Sequence, residues 1–146
     1  MSENGNLPEP LKEIVDDFQW CDDREKLELL LQYSDAMAPL PEWISVDHKA
    51  MDQVHECMTP VFIQAENKDG HLEFYFDVPP ESPTVRGFAA ILGQGLNGAT
   101  PEQILKIPND FYLDMGLENV LTYQRLNGLS AILAHIKRLA TSNLNS

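Results

Sequence analysis

Residues 61–78, VFIQAENKDGHLEFYFDV, decide the fold class. Leu72, Phe74, Phe76 and Val78 alternate with Glu73, Tyr75 and Asp77, the period of a half-buried strand. Val61 to Glu66 forms a second strand-like run, and Pro60 suits its start because a first strand residue need not donate to the ladder. Asp69-Gly70 lies between the two runs, and Gly tolerates the positive φ that a tight hairpin turn requires. The stretch therefore predicts two antiparallel strands.

Upstream the pattern changes to helix. Leu11, Ile14, Val15 and Phe18 recur at i, i+3, i+4 and i+7, one face of a helix. Asp22 followed by Glu25 predicts a capping box at the start of a second helix. Its inward residues are expected to be Leu27, Leu30 and Leu31, with Met37 continuing the stripe. Pro39 and Pro41 in APLPE end it, because proline lacks the N–H that continues a helix and disfavours helix at the residue before it. DHKAMDQV, residues 47–54, reads as irregular or as a short turn of helix.

Downstream, VPPESP is a turn, and Val85, Phe88, Ala89 and Leu92 mark another helix. Thr100-Pro101-Glu102-Gln103 is a helix start with a cap, proline at the first position and Gln at the third. PNDFYLDMGL suggests a short helix closed by Gly116. A last long helix after Thr122 carries Leu126, Leu129, Leu133, Ile136 and Ala140 on one face, with Lys137 and Arg138 near its C-terminus, where cations suit the dipole. Segregated strands and helices imply an α+β fold with a small antiparallel sheet.

The chain has 146 residues, is 43% hydrophobic and carries a net charge of −13. A chain of this length buries roughly 70% of its extended surface, enough for a core without a cofactor or a disulfide framework. The domain is expected to span residues 7–142, between a disordered tail at 1–6 and a tail at 143–146. Strong acidity argues against nucleic acid, whose binding rests on Lys and Arg clusters, and against anionic membranes, and it favours docking to a basic protein surface. MSENGNLPEP has neither an apolar nor a basic signal region, so the expectation is a cytoplasmic protein with reduced cysteines.

Two cysteines remain, Cys21 and Cys57. Cys57 sits in VHECMTPVFI, residues 54–63, just ahead of the first strand. A cysteine beside a strand is more often a small core residue than a nucleophile. Its neighbours His55, Glu56 and Thr59 make a poor core segment and favour a loop. Cys21 follows Trp20 at a helix junction and reads as structural. His55 and Cys57 would be half of a tetrahedral metal site, with His48 and His71 as the remaining candidates, so no metal is assigned. Arg86 and Arg125 each precede a glycine-containing motif near a helix start. They suit either a salt bridge with a carboxylate, or partner docking and support of the Cys57 loop.

VHECMTPVFI resembles the active-site segment of SufE-type sulfur-acceptor proteins, V-x-G-C-x-S followed by a strand. TVRGFAAIL resembles that family's [IV]-[RK]-G-[LF]-x-A-[IL] helix opening. TPEQILKIPNDFYLDMGL and LTYQRLNGLSAILAHIKRLA resemble its C-terminal portion, including R-x-N-G-L, and APLPE matches a piece upstream. The similarity covers about residues 7–141. Glu56 replaces the family glycine, Thr59 with Pro60 replaces the serine, and PPES stands where the family has D-S-D.

The resemblance implies a helix-flanked sheet of three antiparallel strands, similar to SufE and IscU folds, with Cys57 at a loop tip as persulfide acceptor. It implies no cofactor and no stand-alone enzyme. The implied partner is a pyridoxal-phosphate cysteine desulfurase of the SufS type, whose turnover the carrier stimulates, and an Fe–S scaffold complex would receive the sulfur. His55, Glu56, Arg86 and Arg125 are the residues expected to bind the partner or support the loop. Alternatives are a desulfurase of the CsdA type feeding another sulfur pathway, and a non-catalytic interaction module with a structural Cys57. An IscU-type scaffold needs about three cysteine ligands. A thiol redox enzyme would need Cys21 and Cys57 together.

Overall fold

The computed structural model describes residues 6–45, 51–54 and 59–144. In chain order these form α1 (Glu9–Gln19), α2 (Asp23–Asp35), α3 (Glu42–Ser45), β1 (Asp52–Gln53), β2 (Phe62–Lys68), β3 (His71–Asp77), α4 (Pro83–Leu96), α5 (Pro101–Leu105) and α6 (Tyr123–Leu144). The strands make one antiparallel sheet in the order β1-β2-β3. The class is α+β, as the sequence predicts.

The hairpin forms around Asp69 and Gly70, with φ of 55° and 87°, and Lys68 pairs with His71 across them. This is the two-residue turn that needs positive φ at both central positions. Ile63 pairs with Phe76 and Ala65 with Phe74, so the apolar positions of both strands share one face. Leu72, Phe74, Phe76 and Val78 are all buried there against α4. On the other face Trp43 of α3 meets Tyr75 edge-on, with ring centroids 5.6 Å apart. The outer edge of β3 is covered locally. Leu72 exchanges hydrogen bonds with Gly98 and Ala99, and the Phe74 N–H donates to Asn97 Oδ1 at 3.1 Å.

Helix α4 is the hub: it packs on α1, α2, α6 and β3. Two glycines permit this. A Cβ on Gly87 would stand 2.2 Å from the Leu30 carbonyl oxygen of α2, and one on Gly95 would stand 2.8 Å from Leu11 Cβ of α1. Leu11, Ile14, Val15 and Phe18 of α1 are buried as their spacing predicts. Both capping boxes form, Asp22 with Glu25 and Thr100 with Gln103.

Four local readings are corrected. In α2, Leu30 is buried and Leu31 half-buried, but Leu27 is 37% exposed. Consecutive leucines fit more than one helix face, and Gly87 decides between them by admitting the backbone at Leu30. The short helix expected around residue 112 is two 3-10 turns, Phe111–Leu113 and Leu117–Asn119, separated at Gly116, whose φ is 73°. A left-handed residue cannot continue a right-handed helix. Within residues 47–54, Asp52–Gln53 is a strand, and residues 47–50 lie outside the described set. Finally, α6 continues past Lys137 and Arg138 to Leu144, so they do not cap its end. Lys137 Nζ instead donates to the Ile107 carbonyl and to Asn109 Oδ1, tying the connection after α5 to α6.

Candidate functional site

The segment that contains Cys57 is pinned on both sides. Asp52 pairs with Ile63 and Gln53 with Phe62, and the Val54 N–H donates to the Val61 carbonyl at 2.8 Å. Val54 and Val61 are both fully buried, so the two stems are anchored in the core. His55, Glu56 and Cys57 lie between these stems and outside the described residues.

Beyond Cys57 in the chain, Thr59 donates from Oγ1 to Ser82 Oγ at 2.9 Å. Ser82 immediately precedes α4, and its side chain does not cap the helix. The exit of the segment is thereby tied to the first turn of α4, where the helix dipole is positive.

Arg86 and Arg125 both reach that same turn. Arg125 donates from Nη1 to Oγ1 of buried Thr84 at 2.9 Å. Arg86 donates from Nε to the Ser34 carbonyl at 3.1 Å and from Nη1 to the Val78 carbonyl at 2.9 Å. It thus staples the end of α2 and the end of β3 to α4. Of the two readings of these arginines, the salt bridge is corrected: among the described residues neither guanidinium pairs with a carboxylate. The ends of two elements present bare carbonyls there, and a guanidinium satisfies them with its fixed fork of N–H groups. Two guanidiniums bound to neutral oxygens therefore stand at the N-terminal turn of α4, with Asp77 and Glu81 close by in the chain.

Cys21 is a free, half-buried thiol whose Sγ contacts the Asp17 carbonyl at 3.4 Å. Burial, followed by the charges of Glu25 and Asp22, pushes its pKa up, which keeps it a neutral thiol and a poor nucleophile. Among the described residues no group of three or more His, Cys, Asp or Glu side chains is placed to hold a metal. His71 lies at the hairpin turn, six residues along the sheet from the Phe62–Asp77 pair, about 20 Å at the strand rise. Its Nδ1 meets the Gly98 carbonyl at 2.8 Å. His48 lies outside the described residues.

A cavity of about 180 Å³ opens between Met37–Leu40, β3 and α4. Its walls include Phe74, Phe76 and Gly93, and no carboxylate, ammonium, guanidinium or imidazole enters the lining. That lining offers no acid–base chemistry.

Sequence reasoning missed Ser82, Thr84 and the Ser34 carbonyl as partners. Ser82-Pro83-Thr84 reads as a turn running into a helix start, and nothing in the local pattern says which distant residue it would meet.

The sequence matches the SufE family, described as an Fe–S metabolism associated domain, over residues 12–140. An uncharacterized SufE-like protein of Mycobacterium tuberculosis is 40% identical over 139 residues, covering 94% of this chain and 96% of its own length. The cysteine desulfuration protein SufE of Plasmodium falciparum is 29% identical over 147 aligned positions, covering 97% of this chain and 57% of its own length. The solution structure of a hypothetical protein from Thermus thermophilus superposes with a TM-score of 0.83 at 36% identity, covering 96% of this chain and 99% of that one. This chain belongs to the SufE family, whose domain is associated with Fe–S metabolism, and it has that family's α+β fold.

Proposed function

We propose that this protein is a sulfur carrier that accepts a persulfide sulfur on Cys57 from a pyridoxal-phosphate cysteine desulfurase of the SufS type and passes it to an Fe–S scaffold complex. The observation that carries this reading is the pinned segment. Each stem is hydrogen-bonded and anchored by one buried valine, Val54 or Val61, and Cys57 falls between them in a family whose members include proteins named for cysteine desulfuration.

The chemistry is thiol–disulfide exchange. The Cys57 thiolate attacks the outer sulfur of the desulfurase persulfide. A new S–S bond forms on Cys57, the donor's S–S bond breaks, and the donor cysteine leaves as a thiolate that takes up a proton. No net oxidation occurs, because one S–S bond replaces another. A free thiol with pKa near ~8.5 is only a few per cent thiolate at neutral pH. Docking into the partner's site supplies the remaining activation. Clearing sulfur from the desulfurase stimulates its turnover if that step limits its cycle.

The test is mass spectrometry after incubation with a desulfurase and L-cysteine. The expected result is a gain of one or more sulfurs mapped to Cys57, abolished in Cys57→Ser and unaffected in Cys21→Ser. Loading that survives Cys57→Ser would overturn the reading.

A further inference from the structure

We propose that the cavity between Met37–Leu40, β3 and α4 is a binding site for a small uncharged molecule of about one aromatic ring; the proposal is independent of the sulfur-carrier reading. The volume is about 180 Å³. An apolar cavity of about 150 Å³ is enough to hold benzene. The walls are mostly apolar, with Phe74 and Phe76 from β3, Ala89 and Ala90 from α4, and Met37 and Leu40 from the segment after α2. The polar residues of the lining are Tyr75, Gln94 and Asn97, all neutral. A charged guest would shed its water there with no counter-charge to replace it. An apolar ring gains by burial and displaces water that such walls hold poorly.

Gly93 adds a second, independent observation. Glycine is a poor helix former, yet α4 carries three, at 87, 93 and 95. Close approach of other helices requires two of them, since a Cβ on Gly87 or Gly95 would strike Leu30 or Leu11. Gly93 has no such reason. A Cβ there would meet nothing closer than the Phe76 ring at 3.5 Å, an ordinary contact. Packing leaves this glycine unexplained, and the cavity explains it: Gly93 and Phe76 both line the space, and a side chain at 93 would project over that ring. A local rule broken without a packing reason is expected at functional sites. The opposite wall is able to adjust to a guest. Among the described residues the backbone of Ala38–Leu40 makes no hydrogen bond to β3 or α4, so this wall rests on contact alone.

Indole and benzene are the probes, and benzoate is the charged control. The full chain is titrated with each. Binding is read from the methyl resonances of Met37, Ala89 and Ala90 and from the thermal midpoint, which a ligand of the native state raises. The expected result is saturable methyl shifts and a higher midpoint with indole and benzene, and neither with benzoate. Gly93→Ala should weaken indole binding about tenfold, the lower end of what one methylene-sized group decides in an apolar pocket. The same variant without ligand should melt higher than wild type, so a lost site is told apart from a lost fold. No saturable shift with indole or benzene in the wild type would overturn the proposal. So would a Gly93→Ala protein that binds indole as tightly as wild type, and so would benzoate binding as tightly as benzene. Should Gly93→Ala melt lower than wild type, the glycine is there for packing and the proposal loses its second support and fails.

Discussion

Replacing Gly87 by alanine should destabilise the protein, although alanine is the better helix former by about 1 kcal/mol. The new Cβ would lie 2.2 Å from the Leu30 carbonyl oxygen, well inside the 3.0 Å below which real Cβ contacts essentially do not occur. The obstacle is backbone, so no side-chain rotation relieves it, and α2 and α4 must part by about 1 Å. Close-packed interiors resist such a shift, and overpacking of this kind costs about 3 kcal/mol at the upper end of its usual range. Set against the propensity gain, the net loss is about 2 kcal/mol, which lowers the thermal midpoint of a domain of this size by about 4–8 °C. Gly93 in the same helix is the control. A Cβ there would meet only the Phe76 ring at 3.5 Å, an ordinary contact. Gly93→Ala should therefore gain about 0.5–1 kcal/mol, raising the midpoint by about 2 °C. Thermal and urea denaturation of both variants gives the comparison, and the opposite signs are the point of it. A Gly87→Ala protein as stable as wild type would refute the claim that backbone contact sets the spacing of α2 and α4.

Arg86→Met should cost about 2–4 kcal/mol in urea denaturation, since it leaves the Ser34 and Val78 carbonyls without their charged donor; a loss below about 0.5 kcal/mol would mean that water replaces the guanidinium. Thr59→Val removes the hydrogen bond to Ser82, worth about 1 kcal/mol, and should slow sulfur loading more than it lowers the thermal midpoint; equal loading rates would show that the exit stem needs no such tie. In a Cys57→Ser background, iodoacetamide should alkylate Cys21 more slowly than a model thiol at about pH 8, with a rate that keeps rising through the pH range where an ordinary thiol has levelled off, because burial and the nearby carboxylates raise its pKa. A rate profile that superposes on the model thiol would show that the site is open and electrostatically neutral.

What could be read from the residues divides by range. The hairpin, both capping boxes and the inward faces of α1 and α4 are local: alternation, a Thr or Asp three residues before Gln or Glu, and helical spacing each specify their own structure within a few positions. The register of α2 was not legible, because Leu27, Leu29, Leu30 and Leu31 offer several faces, and a glycine 57 positions beyond Leu30 makes the choice. Strand β1 was not legible as a strand, since two polar residues show no period and pair only because β2 is already in place. At the candidate site, Arg86 and Arg125 stood out beside their glycine motifs, but their partners come from other elements. The role proposed for Cys57 rests on the family resemblance, whereas its own neighbours only weakened the case for a core residue.

The two borders of the sheet differ. On one side β1 pairs only with Phe62 and Ile63, so β2 from Gln64 to Lys68 has no strand partner on that border among the described residues. On the other, Asn97 and Ala99 occupy hydrogen-bonding positions along β3 that a foreign strand would otherwise take. For a carrier of the kind proposed above, which would meet other proteins repeatedly, a closed border at β3 matters, because an open one is a template for sheet extension and aggregation. Along β3, partners of the proposed carrier would engage side chains and loops, contacts that release more readily than a shared sheet.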